Sequence, residues 1–178
     1  GVNHHDTDPH TGWCLAAAQY RRDLELMKQL HINCVRTSHY PPSPEFLALC
    51  DELGFYVILG TDIETHGFLR RYGNVPYQFD TESTDWPCAD PKWRREFMAR
   101  MQRAVERDKN HCSIIMWSTG NESGYGDNQR AMLHWLKERN DGRLRHCEDA
   151  CRKEDYADVD VISNMYHSLG TVKAMAED

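Results

Sequence analysis

Glu64 and His66 stand two apart in the stretch DIETHG, so in an extended backbone both side chains point to the same side. Asn121 and Glu122 follow the apolar run SIIMWS in SIIMWSTGNESGYG, where the chain breaks into polar residues and glycines. If those two stretches are neighbouring strand ends, two carboxylates and an imidazole meet. A Glu-Glu-His set completed by waters suits magnesium or manganese, whereas zinc usually takes more nitrogen or sulfur. The alternative is a hydrogen-bonded trio without metal. A carboxyl at the mouth of a buried strand is also placed to move a proton.

Other polar groups recur at comparable points. His4, His5 and Asp6 follow the first apolar run; Arg36, Ser38 and His39 the second; Asp62, Glu64 and His66 the third; then come Asn121 and Glu122, Glu148, and Tyr166. One such residue alone reads as a loop residue or a helix cap. A rim of carboxylates, histidines and a tyrosine suits a polyhydroxylated substrate, which needs many directional hydrogen bonds, and proton transfer at a glycosidic oxygen.

The elements that must carry this rim alternate between two periods. LAAAQYRRDLELMKQL places Tyr20, Leu24, Met27 and Leu30 on one helical face, and INCVRTSHY follows as a strand. Ser43 caps the next helix with Pro44 at its first position, Phe46, Leu47, Cys50 and Leu53 point inward, and Gly54 stops it. FYVILG is a short continuous run typical of a parallel strand covered on both faces. A long excursion over 68–89 reads as a functional or mobile loop. Asp90-Pro91 then opens a helix with Trp93, Phe97, Met101 and Ala104 inward, leading into SIIMWS. QRAMLHWLKERN is another helix, with Met132, Trp135 and Leu136 inward, and RLRHCED and DVISNMY are the last strand candidates.

With GVNHH as the first strand, six strands joined largely by helices imply a parallel sheet, doubly wound or closed. A doubly wound fold usually carries a glycine-rich phosphate loop after its first strand, and HHDTDPHTG stands there instead. The fold class expected is therefore α/β, a (β/α)₈ TIM barrel. Such barrels take ~250 residues, so the chain is read as the N-terminal three-quarters of one, with the remaining strands beyond Asp178 and flanking domains outside the chain.

Composition sets the class of partner. The chain has 178 residues, 40% of them hydrophobic, enough for one sizeable core. With 28 acidic against 21 basic residues and no basic run, nucleic acid is not expected as a partner. No apolar stretch approaches the ~18 residues of a membrane span, so no membrane partner is expected either. Seven cysteines without a Cys-x-x-Cys spacing read as free thiols in a reducing compartment, hence the cytoplasm; His146, Cys147 and Cys151 make only a weak zinc pattern.

GVNHHDTDP, VRTSHYPPSP, CDELGFYV, DIETHGF, RDKNHCSIIMWSTGNESGYG and SNMY resemble, in order and spacing, the catalytic barrel of glycoside hydrolase family 2, most of all its bacterial β-galactosidase branch. The resemblance implies retaining hydrolysis of terminal β-galactosides such as lactose by a homo-oligomeric parent protein. It makes Glu122 the acid/base, Asn121 a ligand of the sugar 2-hydroxyl, and Glu64, His66 and Glu122 a magnesium (or manganese) site. His39 would stabilise the transition state, His5 would line the galactosyl site with Asp62 and Glu148, and Tyr166 would sit beside the nucleophile. That nucleophile is a Glu on a seventh strand, expected beyond this chain. Four positions depart from the family pattern: Leu59-Gly60 for a common Asp-Glu, His4 for Arg, and Cys112 for Pro. β-Glucuronidase, β-mannosidase or a non-catalytic sugar-binding barrel are the other readings.

Overall fold

The computed structural model describes residues 1–68 and 86–175. Five strands, β1 (Val2–His4), β2 (Cys34–Thr37), β3 (Tyr56–Gly60), β4 (Ile114–Ser118) and β5 (Leu144–His146), form one parallel sheet. Their spatial order is their chain order, β1-β2-β3-β4-β5. A doubly wound sheet reverses its order at a switch point, and a barrel never does. The sheet is therefore that of an incomplete (β/α)₈ barrel.

Helices α1 (Ala17–Gln29), α2 (Pro44–Leu53), α3 (Arg94–Asp108), α4 (Asp127–Arg139), α5 (Glu148–Arg152) and α6 (Leu169–Met175) occupy the intervals, with a 3-10 turn over Pro91–Trp93 leading into α3. Local chemistry explains their ends. The Ser43 hydroxyl accepts from the Glu45 amide at 3.2 Å, Pro44 needs no donor at the first turn, and Gly54 ends α2 in the left-handed conformation. Gln19 reaches back to the Ala16 amide at 2.7 Å, which supplies half of a capping box for α1. Asp90 accepts from the Lys92 amide at 3.0 Å.

The main core lies between the sheet and these helices, with Leu24, Val35, Phe46, Leu47, Val57, Trp86, Met101, Val105, Trp117 and Met132 in one cluster. Leu59 belongs to it, which accounts for an apolar residue at that strand position. His4 stacks flat on Phe46, with ring centroids 4.8 Å apart, and lies 3.4 Å from Asp23. A smaller cluster, Tyr125, Leu133, Cys147 and Ala150, packs under β5. The cysteines are free, and Cys50, Cys88, Cys147 and Cys151 are buried. Among the described residues, no helix is long and apolar enough to cross a membrane.

Several expectations need correcting. DVISNMY forms no strand: Asp160 donates one backbone bond to the Arg145 carbonyl at 2.9 Å, and its side chain occupies the Arg145 amide. With the ladder stopped by a side chain, the segment runs past β5 instead of pairing with it. Leu30 falls at the frayed end of α1 and is 63% exposed. Trp93 lies in the 3-10 turn, half out of the core, edge-on to Phe68. Most of the excursion over 68–89 lies outside the described residues.

Candidate active site

Pairing continues past the strand ends and brings the site together. Thr61 donates its amide to the Ser118 carbonyl at 3.0 Å, and the Asn121 amide donates to the Ile63 carbonyl at 2.9 Å, so Glu64 and Asn121 form a parallel bridge. Gly120 makes that approach possible. It sits at φ +146°, and a Cβ there would lie 2.7 Å from the Ile63 oxygen.

The bridge delivers Glu64, His66 and Glu122 to one place, as their spacing suggested. His66 Nε2 lies 2.5 Å from Glu122 Oε2, and its Nδ1 lies 2.9 Å from Glu64 Oε1. One ligand atom from each of the three falls within 4.8 Å of the others. Glu122 is only 4% exposed and adopts a left-handed backbone, φ +42°, which costs a non-glycine residue on the order of 1 kcal/mol. Arg152 Nη2 lies 3.7 Å from its other oxygen.

A cavity of about 530 Å³ opens beside this trio, lined among others by Arg36, His39, Glu64, Asn121, Glu122, Glu148 and Tyr166. That volume suits one or two sugar rings. Arg36 from the C-terminal half of β2 organises one wall. It donates Nη2 to Asn121 Oδ1 at 3.0 Å and Nη1 to His39 Nδ1 at 3.2 Å. Burial lowers the Arg36 pKa, opposed by the charges of Glu148, Glu122 and Glu64. Burial, and then the Arg36 charge, lower that of His39. A neutral His39 that accepts at Nδ1 keeps its proton on Nε2, as a donor. Asn121 Nδ2 donates to Glu64 at 2.9 Å and has a second hydrogen to offer.

Glu148 opens α5 and bonds Arg152 Nε at 2.8 Å. Burial raises its pKa despite that bond. Asp149 is likewise raised by burial, against two backbone amides, those of Ser123 and Gly124, that donate to it. Tyr166, 86% exposed, stands at the cavity mouth. His5 lies just outside, its ring 5.7 Å from that of His39. Asp62 is not brought in: its carboxylate pairs with Arg100 on α3, which also donates to the Asp62 carbonyl at 3.0 Å.

Sequence reasoning did not single out Arg36 as the organiser of the wall, nor Arg152 or Asp149. His146, weighed only as a zinc ligand, lies at the cavity base between the Ser118 hydroxyl at 2.8 Å and that of Ser163 at 2.7 Å. Cys147 packs with Tyr125 and Leu133 instead. A second depression, about 570 Å³ at the N-terminal ends of β4 and β5, contains Arg143, whose donors are already committed to Asp141 and to the carbonyls of Lys109, His111 and Ile114.

Comparison with known proteins gives a consistent answer. The family model described as glycosyl hydrolases family 2, TIM barrel domain, matches residues 1–178. A beta-galactosidase of Arthrobacter sp. (strain B7) is 51% identical over 150 residues, covering 83% of this chain and 14% of the relative. A beta-galactosidase of Actinobacillus pleuropneumoniae is 41% identical over 190 residues, covering 94% of this chain and 19% of the relative. The chain thus spans under a fifth of these relatives. Among solved structures, a β-glucuronidase from Ruminococcus gnavus in complex with uronic isofagomine superposes with a TM-score of 0.70 at 23% identity, covering 91% of this chain and 28% of that one. This last likeness concerns the fold.

Proposed function

Because the chain belongs to the TIM barrel domain of the glycosyl hydrolases family 2, we propose that it is part of the catalytic barrel of a longer, retaining enzyme that removes terminal β-D-galactose from β-galactosides such as lactose. The observation that carries this reading is Glu122, buried at the wall of a sugar-sized cavity and set among hydrogen-bonding groups on neighbouring strand ends.

In this mechanism the Glu122 carboxyl gives its proton to the glycosidic oxygen as the bond to the anomeric carbon breaks. A second carboxylate, from a later strand of the barrel, attacks that carbon; retaining enzymes hold the pair ~5 Å apart. The Glu122 carboxylate then takes a proton from the water that releases the sugar. Asn121, steadied by Arg36 and Glu64, offers its remaining amide hydrogen to a sugar hydroxyl, and His39 offers Nε2–H. Glu148 and Tyr166 line the same space, with His5 behind His39.

Glu64, His66 and Glu122 fit a magnesium or manganese ion: two carboxylates and one imidazole converge, a donor set that waters would complete. Such an ion would add positive charge beside Glu122 and fix its orientation. The free thiols support a cytoplasmic setting. Exposed Trp13, Tyr166 and Leu169 support further packing, against the rest of the protein or a second copy in a homo-oligomer.

Among the described residues lining the cavity are three carboxylates (Glu64, Glu122, Glu148) and one guanidinium, Arg36, with Arg152 paired to Glu148 at 2.8 Å. Glu122→Gln in the full-length enzyme tests the reading through kcat/KM. A fall of about 10³-fold is expected with alkyl or sugar leaving groups and much less with dinitrophenyl galactoside. An equal fall on both classes would remove Glu122 from the acid role.

A further inference from the structure

Ser123, the residue after Glu122, is held at three atoms. Its amide donates to Asp149 Oδ2 at 2.8 Å, its carbonyl accepts from Trp86 Nε1 at 3.1 Å, and its hydroxyl accepts from Gln129 Nε2 at 3.2 Å. The Gly124 amide donates to the same Asp149 oxygen at 3.0 Å. Two successive amides converging on one carboxylate oxygen form a small anion-holding concavity, a geometry that a chain with left-handed residues at Glu122 (φ +42°) and Gly124 (φ +81°) can provide. Asp149 is 4% exposed, and its place in the first turn of α5 ties that helix to the loop. On the other side of Glu122, Asn121 is fixed by the Ile63 carbonyl, Arg36 and Glu64.

We propose that Asp149 is a positioning residue for Glu122: by holding the Ser123 and Gly124 amides, it keeps the acid/base carboxyl in a left-handed backbone, aimed into the cavity. Asp149 does not line the cavity; its hydrogen bonds go to the Ser123 and Gly124 amides, and Arg152 Nε lies 3.8 Å from its other oxygen. Its effect reaches the substrate through Glu122, by way of the loop it holds and of Arg152, which lies 3.7 Å from that carboxylate. Without it, Glu122 gains a route back to an ordinary backbone conformation, and a displacement of about 1 Å at a reacting group can cost 10²-fold in rate. The inference rests on the acid/base role given to Glu122 above.

The test compares leaving groups in the full-length enzyme, using kcat/KM, which reports the bond-breaking step. For Asp149→Ala, we expect a loss of about 10²-fold with alkyl or sugar galactosides and under about 5-fold with dinitrophenyl galactoside. Asp149→Asn keeps an oxygen for the two amides and should lie between Ala and wild type, with the same selectivity. A merely structural role would lower both substrates alike. Equal losses, or none, in the folded variants overturn the proposal; if the Ala variant does not fold, the Asn variant decides by the same comparison. Glu122→Gln run alongside separates the two assignments. If it lacks leaving-group selectivity, the acid role fails; if it shows it and the Asp149 variants do not, only the positioning role fails.

Discussion

Replacing His146 by Gln should make the protein less sensitive to acid. His146 is held between Ser118 and Ser163, and burial, with a contribution from the Arg36 charge, lowers its pKa from 6.5 to about 4. The sign follows from which state binds the proton. Above pH 6.5 both folded and unfolded states hold the ring neutral, and His146 adds no pH dependence. Between pH 6.5 and 4 the unfolded chain takes up a proton that the folded protein refuses, so stability falls with pH by about 1.4 kcal/mol per unit. Below pH 4 both states are protonated and the loss levels off, at about 3 kcal/mol in all from this one ring. Urea denaturation of the full-length protein and the His146→Gln variant, at pH 7 and pH 4.5, reads the difference through the barrel transition. The variant is expected to lose about 2 to 3 kcal/mol less than wild type across that interval. Equal losses in both proteins would mean that His146 titrates normally and that its burial between the two serines is misjudged.

Gly120→Ala should cost about 2 kcal/mol or more, because the new Cβ meets the Ile63 oxygen at 2.7 Å in a left-handed backbone; a variant of unchanged urea midpoint would contradict this. Asp51 accepts from the Ser113 amide at 2.8 Å and from His111 at 2.6 Å, so Asp51→Ala should lower stability by about 2 kcal/mol in thermal unfolding at pH 7. Burial alone would raise the Asp51 pKa, but those bonds outweigh it and hold it below 3.8. Its stabilisation is therefore present above that value and lost as pH falls through the folded one, so the wild-type–variant gap should close in acid. Glu64→Ala should weaken magnesium binding by the full-length protein at least about 10-fold in calorimetry, and chelation should lower wild-type activity more than that of the variant. Binding unaffected by the substitution would place the ion elsewhere.

The readable parts of the chain were those governed by local chemistry. Ser43-Pro44 and Gly54 set both ends of α2 because capping depends on the residues at the ends themselves. Glu64, His66 and Glu122 could be joined because each lies just past a continuous apolar run, and parallel strands bring such points to one rim. Asp149 was not legible, since its partners are backbone amides, which every sequence has. Asp62 looked equivalent to Glu64, but Arg100, on a helix far along the chain, takes it away. DVISNMY has strand-like residues, but the ladder there is interrupted by Asp160, whose side chain competes for the amide a strand would use.

A sheet whose spatial order is its chain order has a temporal meaning. As the chain leaves the ribosome, each of β2 to β5 finds its preceding neighbour already made. Glu64, His66 and Glu122 are all synthesised by the time β3 and β4 can pair, whereas Asp149 emerges only after β5. The trio can thus gather on a growing edge, and the brace on the Ser123 amide closes behind it, so that assembly of the site ends with the residue that holds its loop in place.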